Sequence, residues 1–465
     1  MKAIFNRRNL ILALMVTGLL INQGCKKEPT ETQIITNWIW DGMNEVYLWE
    51  DQIPKYNPDK ETDPEAFFYK LLYVDDSWSW ITDDYEALVN SFNGIELSTG
   101  IYPQFGRLEG SDDVIMVVAY VNEGSPADLA GVKRGDIIYA IDGQNLNIDN
   151  YIDLYYSVTA VYSFADFTGS AIVPNGTELT LTVAVIEQNP ILYSQVINYE
   201  GKTIGYLAYA QFTAGEADVW MDELNSVLLS FKSESVDEVV IDLRYNPGGS
   251  VDVAQWLASA LAPADVMNNN EILMNLNWNK LYNDYFLQEY GEESDYLRVR
   301  FTDNPYNLGL DKVYFMTTGR SASACELLIS GLDPWTNVIH IGESTYGKYT
   351  GSITIPDTED PPRHNWAMQP IVFKYSNAVG YTDFKDGLTP DYVVDDDLLT
   401  AVPFGDLSDP QLSKALELIT GVAPSKKAAT VGLRLDRMPE PFLDKKVSEI
   451  NSLKLPLKPG SLQLR

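Results

Sequence analysis

Val239-Val-Ile-Asp-Leu243 is an apolar run without alternation, and a strand of that kind is stable only where both of its faces are covered. Ile204–Tyr209, Lys312–Thr318 and Val338–Ile341 have similar character. Between them lie helical patterns. One carries Trp220, Leu224, Val227, Leu228 and Phe231 on a single face, opened by a capping box from Thr213 to Glu216; others cover about Val251–Leu261 and Ala322–Leu332. Strand and helix in alternation predict an α/β domain of repeated crossover units. Residues 265–310 are polar with aromatic islands and read as an irregular insertion.

With 465 residues the chain exceeds one hydrophobic core, and two other regions differ in character. From Thr36 to Phe92 the aromatics Trp38, Trp40, Tyr47 and Trp49 recur with Met43 and Val46 at helical spacing, and a second helix over Pro64–Leu72 buries Phe67, Phe68, Leu71 and Leu72. This pattern predicts a small helical domain with a packed core. From about residue 97 the chain turns to strands. Val114–Val121 is β-branched, Ser125-Pro126 caps a short helix ended by Gly131, Ile137–Ile141 is a further strand, and Asp142-Gly143 marks a hairpin. Asp149–Gly176 reads as a helix plus an inserted loop.

The chain has 33 basic and 66 acidic residues, and its net charge of −33 argues against a nucleic-acid partner. Lys2, Arg7 and Arg8 precede the apolar run Leu10–Ile21, which is too short to span a bilayer and reads as a secretory leader. Cys25 follows Gly24 as in bacterial lipoprotein signals, so a lipid anchor on Cys25 is expected. Cys325 is then the one thiol left, and no internal disulfide is expected. The tail from Lys426 to Arg465 has nine basic and four acidic residues, against the trend of the chain.

Ser323 stands where the strand Lys312–Thr318 hands over to a helix, a position that directs free amides and a positive dipole at whatever bonds to it. Ser323 and Glu326 also form a Ser-X-X-Glu capping pattern, and on local grounds a helix cap is the better reading. A serine nucleophile needs a base. The two histidines, His340 inside an apolar strand and His364 in a polar turn, have no catalytic context, which leaves a Ser-Lys pair. Lys348 follows a glycine-bearing turn with Tyr346 and Tyr349 beside it. Lowering a lysine pKa from ~10.4 to ~7 disfavours its charged form by about 4–5 kcal/mol, which burial can supply. Asn246-Pro247-Gly248-Gly249 leaves the strand Val239–Leu243 and offers backbone amides to an oxyanion, or makes an ordinary turn. Gly342–Lys348 approximates a phosphate loop, but Tyr349 replaces the Ser or Thr that binds magnesium. No His-Glu-X-X-His occurs, and neither metal nor cofactor is expected.

The stretch Glu123–Gly143 resembles a PDZ domain, a module that binds extended peptide C-termini by strand addition. The resemblance places the carboxylate loop at Ser98–Gly106 and substrate contacts at Gly100, Ile101, Tyr102 and Phe105, with Pro103 lacking an amide donor. Asp-Leu-Arg-X-Asn-Pro-Gly-Gly from Asp242, Ser-Ala-Ser-Ala-Cys-Glu from Ser321, and Gly-X-X-Thr-X-Gly-Lys ending at Lys348 resemble the tail-specific, or C-terminal processing, proteases of serine peptidase family S41. The resemblance implies Ser323 as nucleophile, Lys348 as general base, and the Gly248 and Ala324 amides as oxyanion hole. It implies an α/β multidomain chain: a small N-terminal helical domain, a PDZ-like β-sandwich or barrel, and a ClpP/crotonase-like α/β core. Boundaries are expected at 1–25 (leader), 26–96 (tether and helical domain), 97–190 (PDZ-like), 191–422 (protease) and 423–465 (basic tail). Extended protein or peptide substrates, without metal or cofactor, are implied as well. Ser352 stands where many relatives carry a lysine-orienting glutamine, and Cys325 where many have serine. A peptide-binding lipoprotein that does not cut is the competing reading.

Overall fold

A computed structural model describes residues 28–424 and 435–438; the predicted leader and Cys25 lie outside them. The apolar strands assemble into one six-stranded sheet in the spatial order Ile191–Tyr199, Lys202–Tyr209, Glu238–Asp242, Lys312–Thr317, Asn337–Gly342, Tyr392–Val393. All pairings after the first are parallel. Helices Val251–Leu261 and Ala324–Leu332 cover one face of this sheet and the helix Pro410–Thr420 covers the other, so its central strands see no water on either face.

The stretch read as an irregular insertion is ordered. It contains the strand Ile272–Trp278, the helix Lys280–Tyr290 and the strand Arg298–Arg300. These form a second sheet in the order Arg298–Arg300, Ile272–Trp278, Ile371–Asn377, Thr350–Ser352. Its apolar positions are interrupted by Asn275 and Asn277, which hides the strand from a search for apolar runs. The predicted capping box at Thr213 does not form. Thr213 Oγ1 donates to the Phe92 carbonyl at 2.7 Å, and the chain passes through left-handed Ala217 and Asp218 before the helix Val219–Ser233 begins.

The N-terminal helices are packed, but their core is continuous with that of the main sheet. Trp38, Ile39, Met43 and Phe67 share one buried cluster with Leu207, Ile241 and Met368, and Trp80–Thr82 pairs with Ala367–Gln369. The PDZ-like region has its own core around Phe105, Met116, Ile138, Tyr162 and Phe164. In place of the expected inserted loop, Thr159–Phe167 and Ile172–Thr182 form a long antiparallel hairpin. Alternating burial of Ala160, Tyr162 and Phe164 against the neighbouring strand holds it there.

The two regions are joined through Arg134. Its guanidinium donates to the Val402 carbonyl (2.7 Å) and the Tyr245 hydroxyl (2.8 Å), and lies 4.5 Å from the Phe404 ring centroid. Tyr245 belongs to the loop that leads to Gly248, so this contact ends beside the catalytic-type turn.

Candidate active site

Ser323 has φ 54° and ψ −108°, a conformation that costs a non-glycine residue on the order of 1–3 kcal/mol and persists only where neighbours enforce it. The neighbours are visible. Thr318 Oγ1 donates to the Arg244 carbonyl (2.5 Å), Ser321 Oγ to the Leu243 carbonyl (2.7 Å), and the Ala322 amide to the Asn246 carbonyl (3.2 Å). The turn carrying Ser323 is thereby stitched to the turn carrying Gly248. Ser321 is consumed in this bracing, whereas Ser323 lines a narrow cavity with Ala324, Lys348, Ser352, Phe373 and Tyr375. Lys348 is 1% exposed.

Glu326 ties these parts together. Its carboxylate is fully buried, and it accepts from the Ser323 amide (2.8 Å), the Thr345 hydroxyl (2.6 Å), the Gly347 amide (2.6 Å) and the Lys348 amide (2.9 Å). Burial pushes its pKa up to about 7, against the lowering effect of those four bonds. Tyr375 adds a second brace: its hydroxyl donates toward the carbonyls of Ser323 (3.2 Å) and Lys348 (2.9 Å). Sequence reasoning treated Glu326 only as a helix cap and did not reach Tyr375. The signal for Glu326 was present, since an acidic residue inside a wholly apolar helix start needs buried donors.

Gly248 has φ +112°, and a Cβ placed there would lie 2.8 Å from the Ser323 Cβ and 3.1 Å from the Ala324 amide nitrogen. Only glycine allows the two turns to approach so closely. The Gly248 amide donates to Asn246 Oδ1 at 2.8 Å. Beneath this turn Arg244 is buried among Asp242, Asp396 and Asp409, at 2.7, 3.1 and 2.8 Å. Cys325 is buried, and its thiol donates to the Asn246 carbonyl at 3.2 Å; burial pushes its pKa well up, the profile of an inert packing residue.

Neither histidine lines the Ser323 cavity. His340 Nε2 sits 2.5 Å from Thr317 Oγ1, and His364 packs edge-on against Trp38 with ring centroids 4.7 Å apart. Both are structural. Among the described residues, no group of three or more His, Cys, Asp or Glu is arranged to hold a metal ion.

Three family models match this chain in succession: the peptidase S41 N-terminal domain over residues 35–80, a PDZ domain over 117–158, and peptidase family S41 over 203–394. The last spans both turns and the Lys348 loop. The chain belongs to peptidase family S41. Among the S41 relatives, the carboxyl-terminal-processing protease of Synechocystis sp. is 27% identical over 345 residues, covering 73% of this chain and 71% of that one. The carboxy-terminal processing protease CtpA of Bacillus subtilis is 23% identical, covering 82% and 73%. The crystal structure of a Bacteroides fragilis protein assigned to the S41 proteases has 29% identity and a TM-score of 0.69, covering 83% of this chain and 98% of that one. The S41 chain described here is therefore a serine peptidase, and the reading as a binding protein that does not cut is set aside.

The predicted substrate contacts divide. Gly100 has φ +88°, and a Cβ there would come 2.0 Å from Ser125 Oγ, so glycine is required. Ile101 and Tyr102 line an open pocket of about 310 Å³ with Ser98, Thr99, Pro103 and Tyr155. Phe105 is a core residue packed on Tyr151 and Tyr155, and only its backbone reaches the sheet edge.

Proposed function

We propose that this peptidase cleaves extended polypeptides near unstructured C-termini, with Ser323 as nucleophile and Lys348 as general base. The observation that carries this reading is the left-handed Ser323 at a helix N-terminus, sharing one cavity with a buried lysine. Desolvation in such a cavity favours the neutral amine that a base requires. Ser323 Oγ adds to the scissile carbonyl carbon while its proton passes to Lys348 Nζ. The oxyanion takes hydrogen bonds from the Ala324 amide at the helix start and from Gly248, whose amide must first exchange its Asn246 partner. Collapse breaks the C–N bond, Lys348 returns the proton to the leaving amine, and water then hydrolyses the acyl-serine by the same route. Ser352, at the position where a glutamine is usual, lines the same cavity as Lys348.

The pocket beside Gly100, Ile101 and Tyr102 receives the substrate's C-terminal residues, with the chain added to the sheet edge. The leader pattern supports export, lipidation at Cys25 and residence in the cell envelope as an outer-membrane lipoprotein facing the periplasm or the surface. The test is incubation with an unfolded protein: wild type cuts it, and Ser323→Ala and Lys348→Ala do not. Equal cutting by Ser323→Ala refutes the assignment. Cys25→Ser moves the protein from the membrane to the soluble fraction if the anchor is correct.

A further inference from the structure

The edge strand of the PDZ-like sheet is not vacant. Leu435–Arg437, from the basic tail, pairs antiparallel with Ile101–Leu108 in the register Leu435↔Leu108, Asp436↔Arg107, Arg437↔Gly106, and the Met438 amide donates to the Phe105 carbonyl at 3.0 Å. Read towards its C-terminus, this segment runs towards Gly100, the polarity of a peptide whose C-terminus enters the carboxylate loop. Its side chains are accommodated. Leu435 fills the space left by Gly106, where a Cβ would lie 2.9 Å from Leu435 Cδ1, and Met438 packs on the core around Phe105. Arg437 makes a two-pronged ion pair with Glu343, in the loop that leads to Lys348, and donates to the Asp396 carbonyl at 2.8 Å. The Asp396 carboxylate in turn receives Arg244 and the Tyr245 hydroxyl, next to the Gly248 turn.

We propose that residues 435–438 are a latch in cis: they occupy the outer half of the peptide groove, leave the pocket at Ile101 and Tyr102 open, and must be displaced by any long substrate. This rests on the reading of that edge as the substrate site. A peptide seated at Ile101 and added antiparallel reaches Gly106 after about five residues, because strand partners advance one for one. Shorter peptides do not meet the latch. Longer ones compete with a segment tethered at high effective concentration, and their displacement of Arg437 releases Glu343 in the lysine loop.

The test uses the full chain with Ser323→Ala, so that peptides are bound and not cut. Arg437→Ala with Met438→Pro weakens the latch, and a chain ending at residue 424 removes it. Fluorescence anisotropy is read with four- and eight-residue apolar peptides bearing free carboxylates, and hydrogen exchange is read at residues 105–108. The expected result is faster exchange at that edge and about tenfold tighter binding of the eight-residue peptide in both variants, with the four-residue peptide unchanged. Faster exchange with unchanged long-peptide affinity overturns the latch and leaves the peptide site standing. Unchanged exchange in the truncated chain also overturns it. Binding of neither peptide to any form rejects the peptide site, and the latch with it.

Discussion

The amide of Lys348 and the amide of Ser323 donate to the same oxygen, Oε2 of Glu326, at 2.9 and 2.8 Å. One buried carboxylate thus sets the spacing between the strained serine turn and the lysine loop, while its other oxygen holds Thr345 and Gly347. A carboxylate suits this place because it presents acceptors on both oxygens and no donor.

Glu326→Gln tests that role. An amide turns one acceptor into a donor facing N–H groups, which leaves buried donors unpaired at about 1–3 kcal/mol. The expected outcome is a fall of at least tenfold in kcat with KM little changed and the fold retained, measured by steady-state kinetics and circular dichroism. Unaltered kcat would show that the spacing is set elsewhere.

Two buried titrating groups, His340 and Glu326, oppose each other in pH dependence. Burial lowers the His340 pKa from 6.5 to about 4, with Asp391 working against it, so its contribution is full above pH 6.5 and is lost as pH falls to 4. Burial raises Glu326 from 4.5 to about 7, so its contribution is full below pH 4.5 and is lost as pH rises to 7. Each slope is worth roughly 3 kcal/mol. Relative to wild type, the urea-unfolding free energy of His340→Gln should fall with rising pH between the two His340 values, and that of Glu326→Gln should rise across its own window. Slopes of the same sign in both variants contradict this assignment.

Gly248→Ala places a Cβ 2.8 Å from the Ser323 Cβ at φ +112°. Neither the turn nor the serine can yield without moving the other. Activity should drop a hundredfold or more, accompanied by a stability loss of about 1–3 kcal/mol from backbone strain. Hydrolysis assays and denaturant titration separate the two effects.

Arg134→Ala removes the bonds to Val402 and Tyr245 and the stacking on Phe404. The PDZ-like core, built around Phe105, Met116 and Phe164, is separate from the main core and should stay folded. Hydrogen exchange should therefore quicken at Val402–Phe404 and Tyr245 while the strand Val114–Val121 stays protected. A global loss of protection would mean that the two regions fold as one unit.

Ser321→Ala removes a hydroxyl that donates to the Leu243 carbonyl and accepts from the Thr318 amide at 3.1 Å. About 1–3 kcal/mol of stability should be lost with catalysis largely retained. That contrast with Ser323→Ala, read by thermal unfolding beside hydrolysis, distinguishes a bracing serine from a reacting one.

Much of this protein is written in short-range chemistry. The strands Glu238–Asp242 and Lys312–Thr317 and the Ser323 and Gly248 turns follow from apolar runs and turn residues that act over a few positions, and they are legible in order along the chain. Ser323 and Lys348 were likewise legible as a candidate pair, because the sequence has only two histidines, neither in a catalytic context, and its motifs resemble those of the S41 family. What the tertiary structure alone decided are contacts between residues far apart in the chain. Glu326 reaches Lys348, Arg134 reaches Val402 and Tyr245, and Leu435–Arg437 lies along Ile101–Leu108. A carboxylate or an edge strand takes its partner only after the sheets have packed, since burial and hydrogen-bond geometry then leave a single low-energy choice.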